Sequence, residues 1–75
     1  MDELWVECQD DPGAAPRRFG WGGAAREVRE VLDRWDGEGH RYFRLRDETG
    51  AVLILRQDLE AGSWRLHFFE REAPD

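Results

Sequence analysis

Few side chains in this chain are equipped for covalent or acid–base chemistry, and those few stand apart. Ser63, Thr49 and Cys8 are its one serine, one threonine and one cysteine. None has a histidine or carboxylate at a spacing that sets a general base beside a nucleophile. The acid pairs Asp10-Asp11, Asp47-Glu48 and Glu70 with Glu72 fall in expected turns or a tail, where solvation leaves carboxyl groups untuned for proton transfer. His40 and His67 are far apart, and with no second Cys or clustered carboxylate they do not complete a tetrahedral zinc site. Gly20-x-Gly22-Gly23 lacks the lysine and the strand-to-helix setting of a phosphate loop, and reads as a hairpin turn. The expectation is a protein with no catalytic residue, metal, cofactor or small-molecule substrate.

What the chain does carry is guanidinium. All 11 basic residues are Arg, against 17 acids, for a net charge of −6. Arg presents a planar fork of donors suited to carboxylate or phosphate. The acidic total argues against non-specific binding of nucleic acid or anionic lipid, so any anion-binding role depends on Arg residues gathered on one surface. Arg44, Arg46, Arg56 and Arg65 are interleaved with Tyr42, His67 and Phe69. Whether they share a face is decided by strand register.

The elements that set that register are legible from residue 42 onward. Tyr42 to Arg46 alternates, and Asp47-Glu48-Thr49-Gly50 has Asp and Gly where a type I turn followed by a bulge wants them. Ala51 to Leu55 is a short apolar strand, Leu59-Glu60-Ala61-Gly62 a second turn, and Ser63 to Phe69 another alternating strand. A three-residue first loop sets Leu45 opposite Leu53 and Phe43 opposite Leu55. A four-residue second loop sets Leu55 opposite Leu66 and Leu53 opposite Phe68. Both turns then choose one inner face of Phe43, Leu45, Leu53, Leu55, Trp64, Leu66 and Phe68, and this agreement argues for a β meander. The outer face collects Tyr42, Arg44, Arg46, Val52, Ile54, Arg56, Arg65, His67 and Phe69. Arg56 falls directly opposite Arg65, a like-charge pair that destabilises a sheet unless an anion lies between them.

Upstream, Leu4 to Cys8 is a short strand candidate, placed at an edge, with Cys8 a small buried hydrophobe in line with Leu4 and Val6. The Pro- and Gly-containing residues 9–16 read as a loop, and Phe19 and Trp21 share one face before the Gly22-Gly23 turn. Residues 24–35 are ambiguous: Val28, Val31, Leu32 and Trp35 fall at i, i+3, i+4, i+7, Glu30 stands four residues before Arg34, and Gly37 suits a helix C-terminus. Local pattern alone favours a helix there. With 75 residues there is room for one core only, and residues 1–75 are read as a single domain with a frayed tail over 71–75.

Phe19-x-Trp21-x-Gly23, Val28-x-x-Val31-Leu32-Asp33-x-Trp35, Tyr42-Phe43-Arg44, Leu55-Arg56-x-Asp58 and Gly62-x-Trp64-x-Leu66 occur in that order. In this order the motifs resemble a family of short, uncharacterised bacterial proteins whose domain also occurs at the C-terminus of ImuB, a non-catalytic relative of Y-family DNA polymerases in mutagenic repair. The likeness spans residues 17–70, with Ala24-Ala25 where the family often has an aromatic. It implies that residues 25–35 form a long strand, since tertiary context overrides helix propensity.

The expected fold is therefore all-β, a small open barrel or curled antiparallel meander of five to six strands, with an α+β arrangement as the alternative if residues 24–35 are helical. The expected function is a non-enzymatic protein-interaction module, linked to bacterial DNA repair or damage tolerance through the resemblance. Its candidate contact surface is Tyr42, Arg44, Arg56, Arg65 and His67. The alternative is single-stranded nucleic-acid binding on the same Arg and aromatic face, disfavoured by net charge. For Arg56 and Arg65 the favoured resolution of their conflict is internal, with Glu27, Glu30 or Asp33 folding across them. A lone cysteine, no apolar run of roughly 18 residues and no basic, apolar leader point to the cytoplasm and away from membranes.

Overall fold

The computed structural model describes residues 3–9 and 15–70 and is all-β. Six strands, β1 (Leu4–Cys8), β2 (Pro16–Trp21), β3 (Ala24–Gly37), β4 (His40–Asp47), β5 (Val52–Asp58) and β6 (Trp64–Glu70), follow one another in space in chain order. All neighbours are antiparallel, and the sheet curls into a half-barrel with β1 and β6 at its two edges. Among the described residues no helix is long and apolar enough to cross a membrane. Most of the expected loop over 9–16 and the whole expected frayed tail over 71–75 lie outside the described residues; Pro16, included in that loop, instead opens β2 opposite Cys8.

The segment whose spacing looked helical is the 14-residue strand β3, and the helical alternative is excluded. Two register shifts explain the mistaken period. Val28 faces Asp47, Glu30 faces Arg46, Val31 faces Leu45 and Asp33 faces Arg44, which leaves Arg29 and Leu32 as extra residues. Each bulge inserts one residue into a two-residue repeat, so Val28 and Val31 both pair with inner-face positions at a spacing of three, Val28 packing against the core while Val31 stays 38% exposed. Bulges also bend a strand: β3 pairs with β2 through Glu27 and with β4 from Val28 onward, and serves as the corner of the half-barrel. Glu30 bonds Arg46 across the strands at 3.4 Å instead of Arg34 along a helix, and Gly37 ends β3 as the partner of His40.

The core lies in the concave face. Phe19, Phe43, Leu45, Leu53 and Leu55 are at most 1% exposed, with Leu4, Val6, Trp21, Val28 and Trp64 packed against them. Burying each large apolar side chain contributes roughly 1.5–3 kcal/mol. The β4–β5 register is the expected one, Leu45 with Leu53 and Phe43 with Leu55. In the turn between them the Asp47 amide donates to Ala51, the Gly50 amide donates to Asp47, and Gly50 takes φ 91°, a conformation open to glycine at little cost.

Two expectations about burial fail. Asp47 is not solvated: it is fully buried, and its Oδ1 accepts from the Thr49 amide (2.8 Å), the Thr49 hydroxyl (2.6 Å) and the Ala51 amide (3.1 Å), while Oδ2 accepts from Arg26 (3.1 Å). Desolvation is the largest single influence and raises its pKa. The Thr49 hydroxyl, Arg26 and the two amides together outweigh it and hold the carboxyl below its ordinary 3.8. Cys8, expected in the core, is exposed: it is the last residue of β1, where the register shift that leaves Arg17 of β2 unpaired ends the ladder.

Candidate functional site

The convex side of β3 to β6 carries the candidate contact surface. Register sets Trp35 opposite Tyr42, Tyr42 opposite Arg56, and Arg56 opposite Arg65, so four side chains form one row across four strands. Facing side chains in neighbouring strands stand within contact distance. Trp35 and Tyr42 accordingly stack, with centroids 5.2 Å apart and planes 6° from parallel. His67 meets the Tyr42 ring edge-on at 5.1 Å and His40 lies 6.3 Å from it. Gly37 lets the tyrosine lie down, since a Cβ there would come within 3.0 Å of the Tyr42 ring.

Four of the expected contact residues, Tyr42, Arg56, Arg65 and His67, thus stand together. Arg44 lies one row along, opposite Asp33 and Ile54. The far end of the face departs from expectation. Leu66 still faces Leu55, but Ile54 is paired with Phe68 and Leu53 with Phe69, so His67 is an inserted residue. The bulge moves Phe68 to the outer face and Phe69 to the inner one, exchanging their expected places. Val52, expected on the outer face, is buried. Leu66, Phe68 and Phe69 are 41%, 50% and 46% exposed, which leaves β6 as a strand of large, uncovered apolar side chains.

The expected internal cover for the Arg pair is not there. Glu27 reaches Arg18 at 4.0 Å, Glu30 reaches Arg46, and Asp33 accepts from the Arg34 amide at 2.8 Å. All three are used elsewhere along β3, which β4 and β5 separate from β6 in the sheet. Arg41 is held by Asp36 at 2.9 Å. Among the described side chains, which end at Phe69, no carboxylate lies within 4.0 Å of Arg44, Arg56 or Arg65. The nearest influence is Asp58, whose carboxyl is held below its ordinary pKa first by the Ala61 amide and then by that of Glu60, with His40 and Arg56 adding smaller pulls against some desolvation. That carboxylate caps the β5–β6 turn, accepting from both amides at 2.9 Å.

Two concavities adjoin the row. A recess of about 90 Å³ is lined by His40, Arg56, Asp58, Ser63 and Arg65. It gathers a serine, a histidine and an aspartate that sequence spacing kept apart, yet no hydrogen bond joins Ser63 to His40. The His40 Nδ1 lies 2.8 Å from the Glu38 carbonyl, and Nε2 faces Asp58 at 4.0 Å. A larger groove of about 660 Å³ runs between the sheet edges, with Leu4, Trp21, Trp64 and Leu66 as apolar walls, Arg56, Arg65 and His67 along one rim, and the Glu3 carboxylate also in its lining. Among the described residues no three His, Cys, Asp or Glu side chains are grouped to hold a metal ion.

Sequence reasoning missed Trp35 and His40, the first assigned to an apolar helix face and the second to isolated surface. Both follow from the tight turn at Glu38-Gly39, which pairs Gly37 with His40, so the signal was Gly37-Glu38-Gly39 read as a hairpin. No family model, curated protein or solved structure matches this chain.

Proposed function

We propose that this protein is a non-enzymatic docking module that holds an acidic segment of a partner protein on the row Trp35, Tyr42, Arg56 and Arg65. The observation that carries this reading is Arg56 directly opposite Arg65 with no described carboxylate within 4.0 Å of either, although Asp58 lines the adjoining recess and Glu3 the groove. Arg17, Arg18, Arg26, Arg41 and Arg46 have acidic partners, whereas among the described residues Arg29 and Arg34 share the lack of one with Arg44, Arg56 and Arg65; what sets Arg56 and Arg65 apart is that they face each other directly. A carboxylate from outside relieves the like-charge contact and gains charge-assisted hydrogen bonds. Exposed aromatic rings beside Arg are the residue types that dominate protein contacts. The likeness to the repair-associated family supports a place in bacterial DNA repair or damage tolerance, and that placement rests on the likeness alone.

The stacked pair Trp35 and Tyr42 also favours a second reading, in which bases of a single strand stack on the rings and Arg holds phosphates. Net charge −6 disfavours it. Titrating a labelled Glu-rich peptide and a labelled single-stranded oligonucleotide separates the two. The docking reading expects the peptide to bind more tightly and Arg65→Ala to weaken it by roughly 1–3 kcal/mol. Tighter oligonucleotide binding with a steep salt dependence would transfer the face to nucleic acid.

A further inference from the structure

We infer that the acidic segment binds as an added strand along the open edge of β6, in the seam between β6 and β1, an inference that rests on the docking reading above. The sheet runs from β1 to β6 without closing: the two edge strands approach within 8 Å but no ladder joins them, so a strand seated between them spreads the seam to the roughly 9–10 Å of two strand spacings. An unpaired edge is a template for another strand. The edges are not equivalent. β1 carries Glu7, tied to Arg17 and Arg18 at 3.5 and 3.0 Å, and a register shift at its end. β6 offers a regular stretch from Trp64 to Leu66 before its bulge, with Arg on one side and on the other a groove of mixed lining in which Leu4, Trp21, Trp64 and Leu66 are the apolar walls.

Backbone geometry fixes which groups are available. The Asp58 amide donates to the Ser63 carbonyl at 2.8 Å, while the Asp58 carbonyl accepts from the Gly62 amide at 2.7 Å, so Asp58 and Ser63 occupy a hydrogen-bonding position of the ladder closed by a single bond. Such positions alternate with non-bonded ones along an antiparallel ladder. The backbone groups of Arg65 therefore point to Arg56, while those of Trp64 and Leu66 point away from β5 into the seam. A strand lying there takes hydrogen bonds from the Trp64 and Leu66 amides. Its side chains fall in rows with those of β6: apolar beside Trp64, acidic beside Arg65, apolar beside Leu66. The groove of about 660 Å³ walled by Leu4, Trp21, Trp64 and Leu66 takes the apolar side chains. Arg65 and Arg56 take the carboxylate. Charge complementarity and alternation thus name one occupant, an extended partner segment that alternates acidic and apolar residues.

The probe is a short labelled peptide alternating Glu and Val, added to the ¹⁵N-labelled protein while amide exchange is followed by NMR. At saturation the Trp64 and Leu66 amides should exchange at least about tenfold more slowly, as newly bonded edge amides do. The same peptide N-methylated at alternate residues should lose about tenfold or more in affinity, because its backbone donors are gone. Binding that weakens in Arg56→Ala and Arg65→Ala, yet leaves those two amides unchanged and tolerates N-methylation, overturns strand addition and leaves the docking reading standing. Binding indifferent to both Arg variants overturns the docking reading itself. Protection of the same amides that rises with protein concentration, without peptide, assigns the edge to a second copy of this chain and overturns the inference.

Discussion

Replacing Asp47 with Ala should be among the most damaging single changes to this fold. The side chain accepts four hydrogen bonds, three on Oδ1 and one on Oδ2. The Ala51 amide is buried and would be left without its side-chain acceptor, a loss of about 1–3 kcal/mol. Thr49 is exposed, so water replaces most of what its amide and hydroxyl lose, leaving about 0.5–1 kcal/mol between them. Arg26 is 45% exposed, and its ion pair is discounted to about 0.5–1 kcal/mol by solvent screening. The total is about 2–5 kcal/mol, against a stability of roughly 4–11 kcal/mol for a chain of this length. Asp47→Asn keeps an acceptor at Oδ1 but turns an amide donor toward Arg26, and should cost about 1–2 kcal/mol. The pH dependence follows from the direction of the shift. Because the folded pKa lies below 3.8, the contribution of Asp47 is fully present above the unfolded value and is lost as pH falls through the folded one. The gap between wild type and Asp47→Asn should therefore be constant near neutrality and shrink below about pH 4. Urea melts of the three proteins at several pH values measure all of this. An Asp47→Ala midpoint equal to wild type, or an Asn gap that persists in acid, refutes the reasoning.

Arg65→Ala should leave stability level or raise it by a few tenths of a kcal/mol, since it removes a like charge opposite Arg56 and strands no acid; a clear loss in a denaturant melt would show that an internal anion covers the pair. Gly20→Ala should destabilise by about 1–3 kcal/mol or more, because its Cβ would collide with the Ala24 carbonyl oxygen and approach the Trp5 ring at 2.8 Å; a thermal midpoint unchanged from wild type would contradict this. The Cys8 thiol is exposed, but partial desolvation raises its pKa above the ordinary 9.0. Iodoacetamide should thus label it in the folded protein only slowly at neutral pH and faster as pH rises past that value, and fast labelling at pH 7 would count against the shift.

How far the fold could be read from sequence depended on turn chemistry. Asp47 with Gly50 fixed the β4–β5 register without ambiguity, and the core of Phe43, Leu45, Leu53 and Leu55 followed from it. Bulges defeated the rest, because an inserted residue changes side-chain phase without changing residue types. Arg29 and Leu32 made β3 look helical, and His67 exchanged the faces of Phe68 and Phe69. The contact row was half legible: Arg56 opposite Arg65 came from the second turn, whereas Trp35 beside Tyr42 needed the Glu38-Gly39 hairpin. The role of Asp47 as a buried acceptor was hidden, since a turn aspartate looks solvated until Arg26 of a distant strand is seen to close over it.

The central claim is that the row binds acid through Arg56 and Arg65, and a charge swap tests it most directly. The double variant Arg56→Glu/Arg65→Glu is titrated with the Glu and Val peptide and with its counterpart in which every Glu is Lys. The wild-type protein should bind only the acidic peptide and the double variant only the basic one, with circular dichroism showing both to be folded. Equal binding of the acidic peptide by the two folded proteins would contradict the account.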